Sequence, residues 1–511
     1  MMQTLTRSMS WLHTWAGLIF GWLLFGVFLT GSISVFWREI SHWATPELHA
    51  RALMSRDVPL DRSFEILRRE APDASVWQIT LPSEREHALQ LSWEGADEQR
   101  TSLHIEPASG EEIRETEGGR HFNRFHHRLG LDGDWNQTGR WIAGVLALGL
   151  LVILVSGVLI HKHIFRDVLV LRPKGSALLA WADWHRLTGV ISLPFTLLIV
   201  LSSFAVNYWI YYPAAIATLY DGNAQEYRAD VGQGRGRQSG NDEAGSPGPM
   251  AQTLSVERIL AIAAEAMNTP GVSQITFNNP GRQNATVEVR SRRDDRIAQQ
   301  MDRVTINGVT GEVVELVVDR PPMFAAQSTL VGLHYALFGG WPMRWVYFVC
   351  GAVGTAVIGT GLVLFAKRRG ARSPRLAAFG SRANVGTIMG PMIASIAYLW
   401  GLRLMPQAMA DRTTAEVSVF YAAFAAVIVY AAFRLPKRSW VELTALLGVL
   451  CSALPFSAVL TARGDLATTL QAGDFATAGV DMAALAIGIG ALFTAWTLCR
   501  KPTPAVNARA R

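Results

Sequence analysis

Long uncharged blocks alternate with two long polar stretches along this chain. Trp11 to Trp37 contains no Asp, Glu, Lys or Arg, and neither do Trp141 to Ile160, Leu187 to Tyr220 or Trp345 to Ala366. A helix of ~20 apolar residues crosses the hydrocarbon core of a bilayer. These blocks therefore predict membrane helices near 11–37, 141–161, 186–209 and 343–366. Four more are predicted near 387–403, 415–433, 440–461 and 476–499. The first block exceeds the roughly 7–15 residues of a signal-peptide core, and no A-x-A-like site follows it closely, so it is expected to be retained.

The polar stretches, roughly 38–140 and 210–342, change period. In the first, a helix-like Phe64–Arg69 leads into alternating runs at Val76–Leu81, Ala88–Trp93 and Ser102–Ile105. In the second, Val256–Met267 leads into Val272–Phe277, Ala285–Arg290 and Arg303–Ile306. Each predicts one small α+β module. Gly232–Pro249, rich in Gly, Ser, Arg and Pro, reads as a flexible linker. Its Gly232, Gly234 and Gly236 superficially resemble a phosphate loop, but no strand precedes them and no helix begins on them. The fold class expected is an α-helical polytopic membrane protein of eight helices with two such modules. Its parts are helix one in 1–37, the first module in 38–140, helices two and three in 141–209, the second module in 210–342, helix four in 343–370, and a four-helix extension in 387–500.

The first 370 residues contain one unit twice. His13-Thr-Trp-Ala-Gly17-Leu-Ile and His185-Arg-Leu-Thr-Gly189-Val-Ile share the spacing His-x-x-x-Gly-x-Ile. Arg140-Trp141 is followed sixteen residues after the Trp by Gly157, and Arg344-Trp345 by Gly361 at the same interval. Ala71-Pro72 to Ile79-Thr80 sits against Thr269-Pro270 to Ile275-Thr276. Two helix–module–helix units in the same orientation imply a pseudo-two-fold axis along the membrane normal.

Composition agrees with a membrane protein: 50% of the 511 residues are hydrophobic and only 17% charged, against about 25% charged in soluble chains. The net charge of +6 gathers at helix ends, in Lys162, Arg166, Arg172 and Lys174, in Lys367, Arg368, Arg369 and Arg372, in Arg434, Lys437 and Arg438, and in Arg500 and Lys501. The positive-inside rule makes these loops and both termini cytoplasmic and the two modules periplasmic. The same pattern excludes nucleic acid as a partner and leaves the lipid bilayer as the first one. Cys350, Cys451 and Cys499 lie in or beside apolar segments without C-x-x-C spacing, which excludes a disulfide framework and a zinc site of cysteines.

The twelve histidines all precede residue 335. His13 and His185 are repeat equivalents at the cytoplasmic starts of helices one and three. His161 lies at the cytoplasmic end of helix two, with Phe365 at its repeat-equivalent place. His126 and His334 precede helices two and four, each leading into an Arg-Trp pair. A low-spin haem takes two axial ligands from opposite faces, commonly neutral imidazoles, and small residues let its macrocycle lie against a helix. Gly17, Gly21 and Gly189 lie on the same helix faces as His13 and His185. His127 competes with His126, but Phe122, Phe125, His126 and Leu129 share one apolar face of a short helix. His121 is a weaker candidate. His163 is expected among headgroups, and His42, His49, His87 and His104 are expected to be ordinary polar residues. A helix of 20 residues rises ~30 Å, so the two histidine layers call for two haems b. Which two of His13, His161 and His185 serve the cytoplasmic haem stays open.

Trp11-Leu-His13-Thr-Trp-Ala-Gly17, Phe125-His126, Ser156-Gly157 through His161 to Asp167, Trp184-His185 and Leu333-His334-Tyr335 resemble the PepSY-associated transmembrane helix family, often called iron-regulated membrane proteins. The two modules look like PepSY domains, including the closing Ser109-Gly110-Glu111 and Thr310-Gly311-Glu312. The resemblance covers roughly residues 5–370. It implies a haem-containing inner-membrane protein of the ferric-siderophore-reductase type, with His13, His126, His161, His185 and His334 as its haem-iron ligands. Two features depart from the family: Trp-His-Arg around His185, where relatives often have Ala-His-Asn, and the four-helix extension.

The extension has no histidine. Gly386 and Gly390 form a G-x-x-x-G pair, and Asp481 reads as interfacial. Dimerisation, quinone access and contact with a transporter are the roles open to it. The function expected is transmembrane electron transfer to a ferric siderophore or other ferric chelate. The short cytoplasmic loops carry no nucleotide-binding motif, so the donor is external, a quinol or a soluble reductase. The rival readings are a non-enzymatic assembly or regulatory protein that binds partners through its modules, and a permease for siderophore or haem, which the lack of a charged pathway within the helices weakens.

Overall fold

The computed structural model describes residues 2–49, 57–95, 99–161, 172, 176–211, 213–223, 226–227, 248–269, 271–292, 296–298, 301–318, 322–370, 373–457 and 466–500. His163 and most of the Gly232–Pro249 segment lie outside them. The principal helices are α1 (Met2–Ser34), α2 (Trp37–Ala44), α3 (Asp57–Glu70), α4 (Arg120–Arg128), α5 (Asn136–Ile160), α6 (Ala177–Val206), α7 (Val256–Met267), α8 (Pro322–Tyr335), α9 (Gly340–Arg369), α10 (Pro374–Leu404), α11 (Arg412–Phe433), α12 (Pro436–Ala453) and α13 (Phe475–Arg500). Eight of them, α1, α5, α6, α9, α10, α11, α12 and α13, are long and apolar enough to cross a membrane. These are the eight predicted, but the fifth starts at Pro374 rather than near 387. Pro374 and Pro436 stand in the first turns of α10 and α12, where a missing N–H costs nothing. Pro391 lies inside α10, and the carbonyl of that residue accepts from Ser395 Oγ at 2.7 Å.

The described chain forms two compact units, Met1–Ala50 with Thr116–Val200 and Tyr347–Arg511, and Arg51–Glu115 with Leu201–Val346. In the first, α1 packs along α5, α4 and α10, α10 along α11, and α12 along α13. Its core joins Phe25, Trp43, Phe122 and Phe125 to Tyr398 and Phe420 of the extension. Gly390 explains the closeness of α10 and α11, because a Cβ there would stand 2.5 Å from the Phe424 ring; Gly386 faces Ile428 on the same side. The G-x-x-x-G pair is therefore a close-packing face.

The second unit holds β1 (Val76–Thr80), β2 (Leu89–Glu94), β3 (Arg100–Ile105), β4 (Val272–Asn278), β5 (Thr286–Ser291), β6 (Arg303–Asn307) and β7 (Val313–Val317). They form one antiparallel sheet in the order β3-β2-β1-β4-β5-β6-β7. The modules predicted as separate thus share a sheet. Two edge strands meet, β1 with β4, in the register Trp77 to Phe277 and Ile79 to Ile275. Alternation puts Ile79, Leu89, Leu91, Ile275, Val289, Val304 and Ile306 into one core, covered by Leu67 of α3 and Ile259 and Ala263 of α7. Ser255 caps α7 by accepting from the Arg258 N–H. The turns after β3 and β6 are alike: Gly110 (φ +75°) donates to the Glu106 carbonyl and Gly311 (φ +80°) to that of Asn307, each at 2.9 Å. Positive φ is what requires glycine at both.

Candidate functional site

The apolar blocks that make helices also carry the candidate histidines to helix–helix contacts. On α1, His13 Nδ1 donates to the Ile153 carbonyl of α5 at 3.0 Å and lies 3.3 Å from Ser156 Oγ. On α6, His185 Nδ1 donates to the Val357 carbonyl of α9 at 3.1 Å and lies 3.2 Å from Thr360 Oγ1. Small residues make room for each ring: a Cβ on Gly157 would stand 3.1 Å from His13 Cε1, and one on Gly361 would stand 3.0 Å from His185 Cε1. The two rings face each other with centroids 6.2 Å apart and planes at 62°. A carbonyl only accepts, so Nδ1 carries the proton in both rings and Nε2 carries the lone pair.

Glycines beside the pair divide. An added Cβ meets nothing within 4 Å at Gly17 and only Val357 at 4.0 Å at Gly189. Gly21, expected on the same open face, instead packs against Leu362 at 3.1 Å. His161 caps the C-terminal end of α5 and is exposed.

α4 is the short amphipathic helix expected, with Phe122 and Phe125 buried. His126 Nδ1 donates to the Val27 carbonyl of α1 at 2.8 Å, and its ring lies over Gly31, where a Cβ would approach Nδ1 to 2.5 Å. Burial lowers its pKa below the usual histidine value, so it is neutral and able to ligate at neutral pH. His127 donates instead to the Asn123 carbonyl of its own helix at 2.7 Å, and burial pushes it down to about 4. His121 is enclosed by Phe122, Tyr398, Phe420 and Tyr421; burial pushes it down to about 4 as well. His334, in the second unit, lies on α8 with Nδ1 3.0 Å from Ser202 Oγ of α6.

The extension grips the segment that bears His126. Tyr398 Oη donates to the Gly118 carbonyl at 2.6 Å and Tyr421 Oη to that of Leu129 at 3.0 Å. Glu416, fully buried, accepts from Thr116 Oγ1 at 3.0 Å and from the Glu117 N–H at 2.8 Å, and pairs with Arg412 at 2.7 Å. Pattern reading missed this buried ion pair within the extension. Asp481, expected at the interface, is buried and accepts from Trp43 Nε1 at 2.9 Å. Two histidines set aside as ordinary, His42 and His49, come together with Asp474. Burial, with the positive neighbourhood of His42 and Arg403, pushes His49 down to about 4. Burial alone would raise Asp474, but hydrogen bonds from His42 and Thr477 hold its carboxyl well below the usual range.

No curated protein matches the chain. Residues 10–368 match the family described as the PepSY-associated TM region, a stretch that contains α5, α6, most of α1 and α9, the whole sheet and every histidine. This multi-pass membrane protein therefore belongs to the PepSY-associated TM region family.

Proposed function

We propose that the protein is a di-haem electron carrier of a bacterial inner membrane that reduces a ferric siderophore or another ferric chelate on the periplasmic side. The observation that carries this reading is the His13–His185 pair. Two imidazoles bonded in line to one metal at ~2 Å each have ring centroids on the order of 6 Å apart, and these lie at 6.2 Å. The open space beside Gly17 and Gly189 suits a broad macrocycle edge, and each Nδ1 bond to a neighbouring helix orients its ring and raises its basicity. His161 ends α5, the helix against which His13 packs, and is the alternative cytoplasmic ligand. His126, with His127 as the weaker choice, and His334 are each a proposed haem-iron ligand on the other layer.

Bound haem b supplies a one-electron carrier at each layer. The chain's own residues orient the ligands through the Nδ1 contacts of His13, His126, His185 and His334. The matching contacts of His13 and His185, and the matching turns at Gly110 and Gly311, support an internal duplication of a helix–module–helix unit. One sheet built from both polar segments supports placing them on the same side. Cationic loops after α9, α11 and α13 support a cytoplasmic location for the other side. The electron donor in this reading is a quinol or a soluble reductase.

Absorption spectra of the detergent-purified protein test this. Dithionite is expected to shift the Soret and α bands, with two haems per chain. His185→Ala should remove one haem and His334→Ala the other. Ferric siderophore added to the reduced protein should re-oxidise it. A folded, colourless protein sinks the proposal.

A further inference from the structure

We propose that His42, His49 and Asp474 form a binding site for a divalent first-row transition-metal cation. Each of the three offers a ligand atom, and these atoms lie within 4.8 Å of one another. His42 Nε2 is 3.1 Å from Asp474 Oδ2, with both side chains only 5–6% exposed. The His49 ring centroid is 5.3 Å from that of His42, and His49 Nε2 is 3.0 Å from the His42 carbonyl oxygen. Two imidazoles and one carboxylate suit Zn2+ and Fe2+, and three protein ligands leave a position for water or another donor.

The chain has built this convergence from distant parts. His42 lies in the last turn of α2, a single turn of 3-10 helix at Pro46–Leu48 brings His49 back beside it, and Asp474 precedes α13. Asp474 also caps α13: its Oδ1 accepts from the Thr477 N–H at 3.0 Å and its Oδ2 from Thr477 Oγ1 at 2.8 Å. A helix cap needs one acceptor and a backbone donor. Capping gives no reason for two imidazoles to converge on the same carboxylate in a buried place. Thr477 has the part of an outer residue that orients a ligating carboxylate. A cation would take the Nε2 lone pair of neutral His42, with the ring hydrogen on Nδ1. The bound ion would tie α2, beyond the end of the first membrane helix, to the start of the last one. This site is independent of the haem reading, since none of its residues is a candidate haem ligand.

Zinc, which is distinguishable from haem iron by elemental analysis, is the probe. Full-length protein without a polyhistidine tag is stripped with chelator and dialysed against zinc in detergent. One zinc per chain is expected, lost in Asp474→Asn and in His49→Ala. Thr477→Val should bind ~10-fold more weakly, and zinc should raise the unfolding temperature of the parent protein but of neither ligand variant. Absence of stoichiometric zinc, or equal zinc in parent and variants, overturns the proposal. Should Asp474→Asn fail to fold, His49→Ala decides, because His49 is half-buried and stands outside the α-helices.

Discussion

A single hydrogen on Gly31 holds the place of His126. Any Cβ would meet the imidazole at 2.5 Å, closer than non-bonded atoms tolerate, so Gly31→Val must push the ring off the Val27 carbonyl. Under the proposed di-haem reading, the expected result is loss or a shifted potential of one haem in a redox titration, with the other unchanged; two unchanged haems would remove His126 from the ligand set. His121 gives a different signal. Its pKa falls from 6.5 to about 4 through burial, with Arg124 adding to the shift; Tyr398 and Tyr421 are the titratable groups facing it. The unfolded chain therefore takes up the proton first. Stability from this group is fully present above pH 6.5 and is lost as pH falls toward 4. His121→Phe should flatten the dependence of unfolding temperature on pH across that window. Such residues differ in how far sequence exposes them. His13 and His185 were legible because spacing to a following glycine repeats. The His42–His49–Asp474 cluster was not, because 432 positions separate His42 from Asp474 and no local pattern links them.

Between helices, the extension acts on α4. Removing the Glu416 carboxylate by Glu416→Ala leaves Arg412 buried without its partner, along with the Thr116 and Glu117 donors. Breaking such a pair costs about 3–5 kcal/mol, and under the proposed di-haem reading the haem held by His126 should be lost first. Denaturant unfolding followed in the haem bands reads both effects; a loss under about 1 kcal/mol, as for a surface pair, would refute this role. The first four membrane helices were legible from their uncharged length, and the last four from their apolar runs, although these carry Arg403, Glu416, Glu442 and Asp481. Gly386 and Gly390 were legible as a pair, but their target, Ile428 and Phe424, was not. Asp481 was misread because one acidic residue near a helix end looks the same in sequence whether it meets headgroups or the Trp43 indole.

For the molecule as a whole, strand periodicity located six of the seven strands, and β7 (Val313–Val317) was missed because Val-Val-Glu-Leu-Val is too short and too uniformly apolar to alternate clearly. Alternation gives each strand an inner face, yet it carries no information about which edge strand joins which. The β1–β4 seam was therefore invisible, although it turns two modules into one sheet. The seam also sets an order of manufacture. The 192 positions from Thr80 to Val272 include both α5 and α6. At about 5–20 residues per second, β1 waits roughly 10–40 s for its partner while two membrane helices are inserted. Through that interval its inner edge is an open template for any passing strand, so the newborn chain has its greatest need of a holding chaperone on the side where the sheet forms.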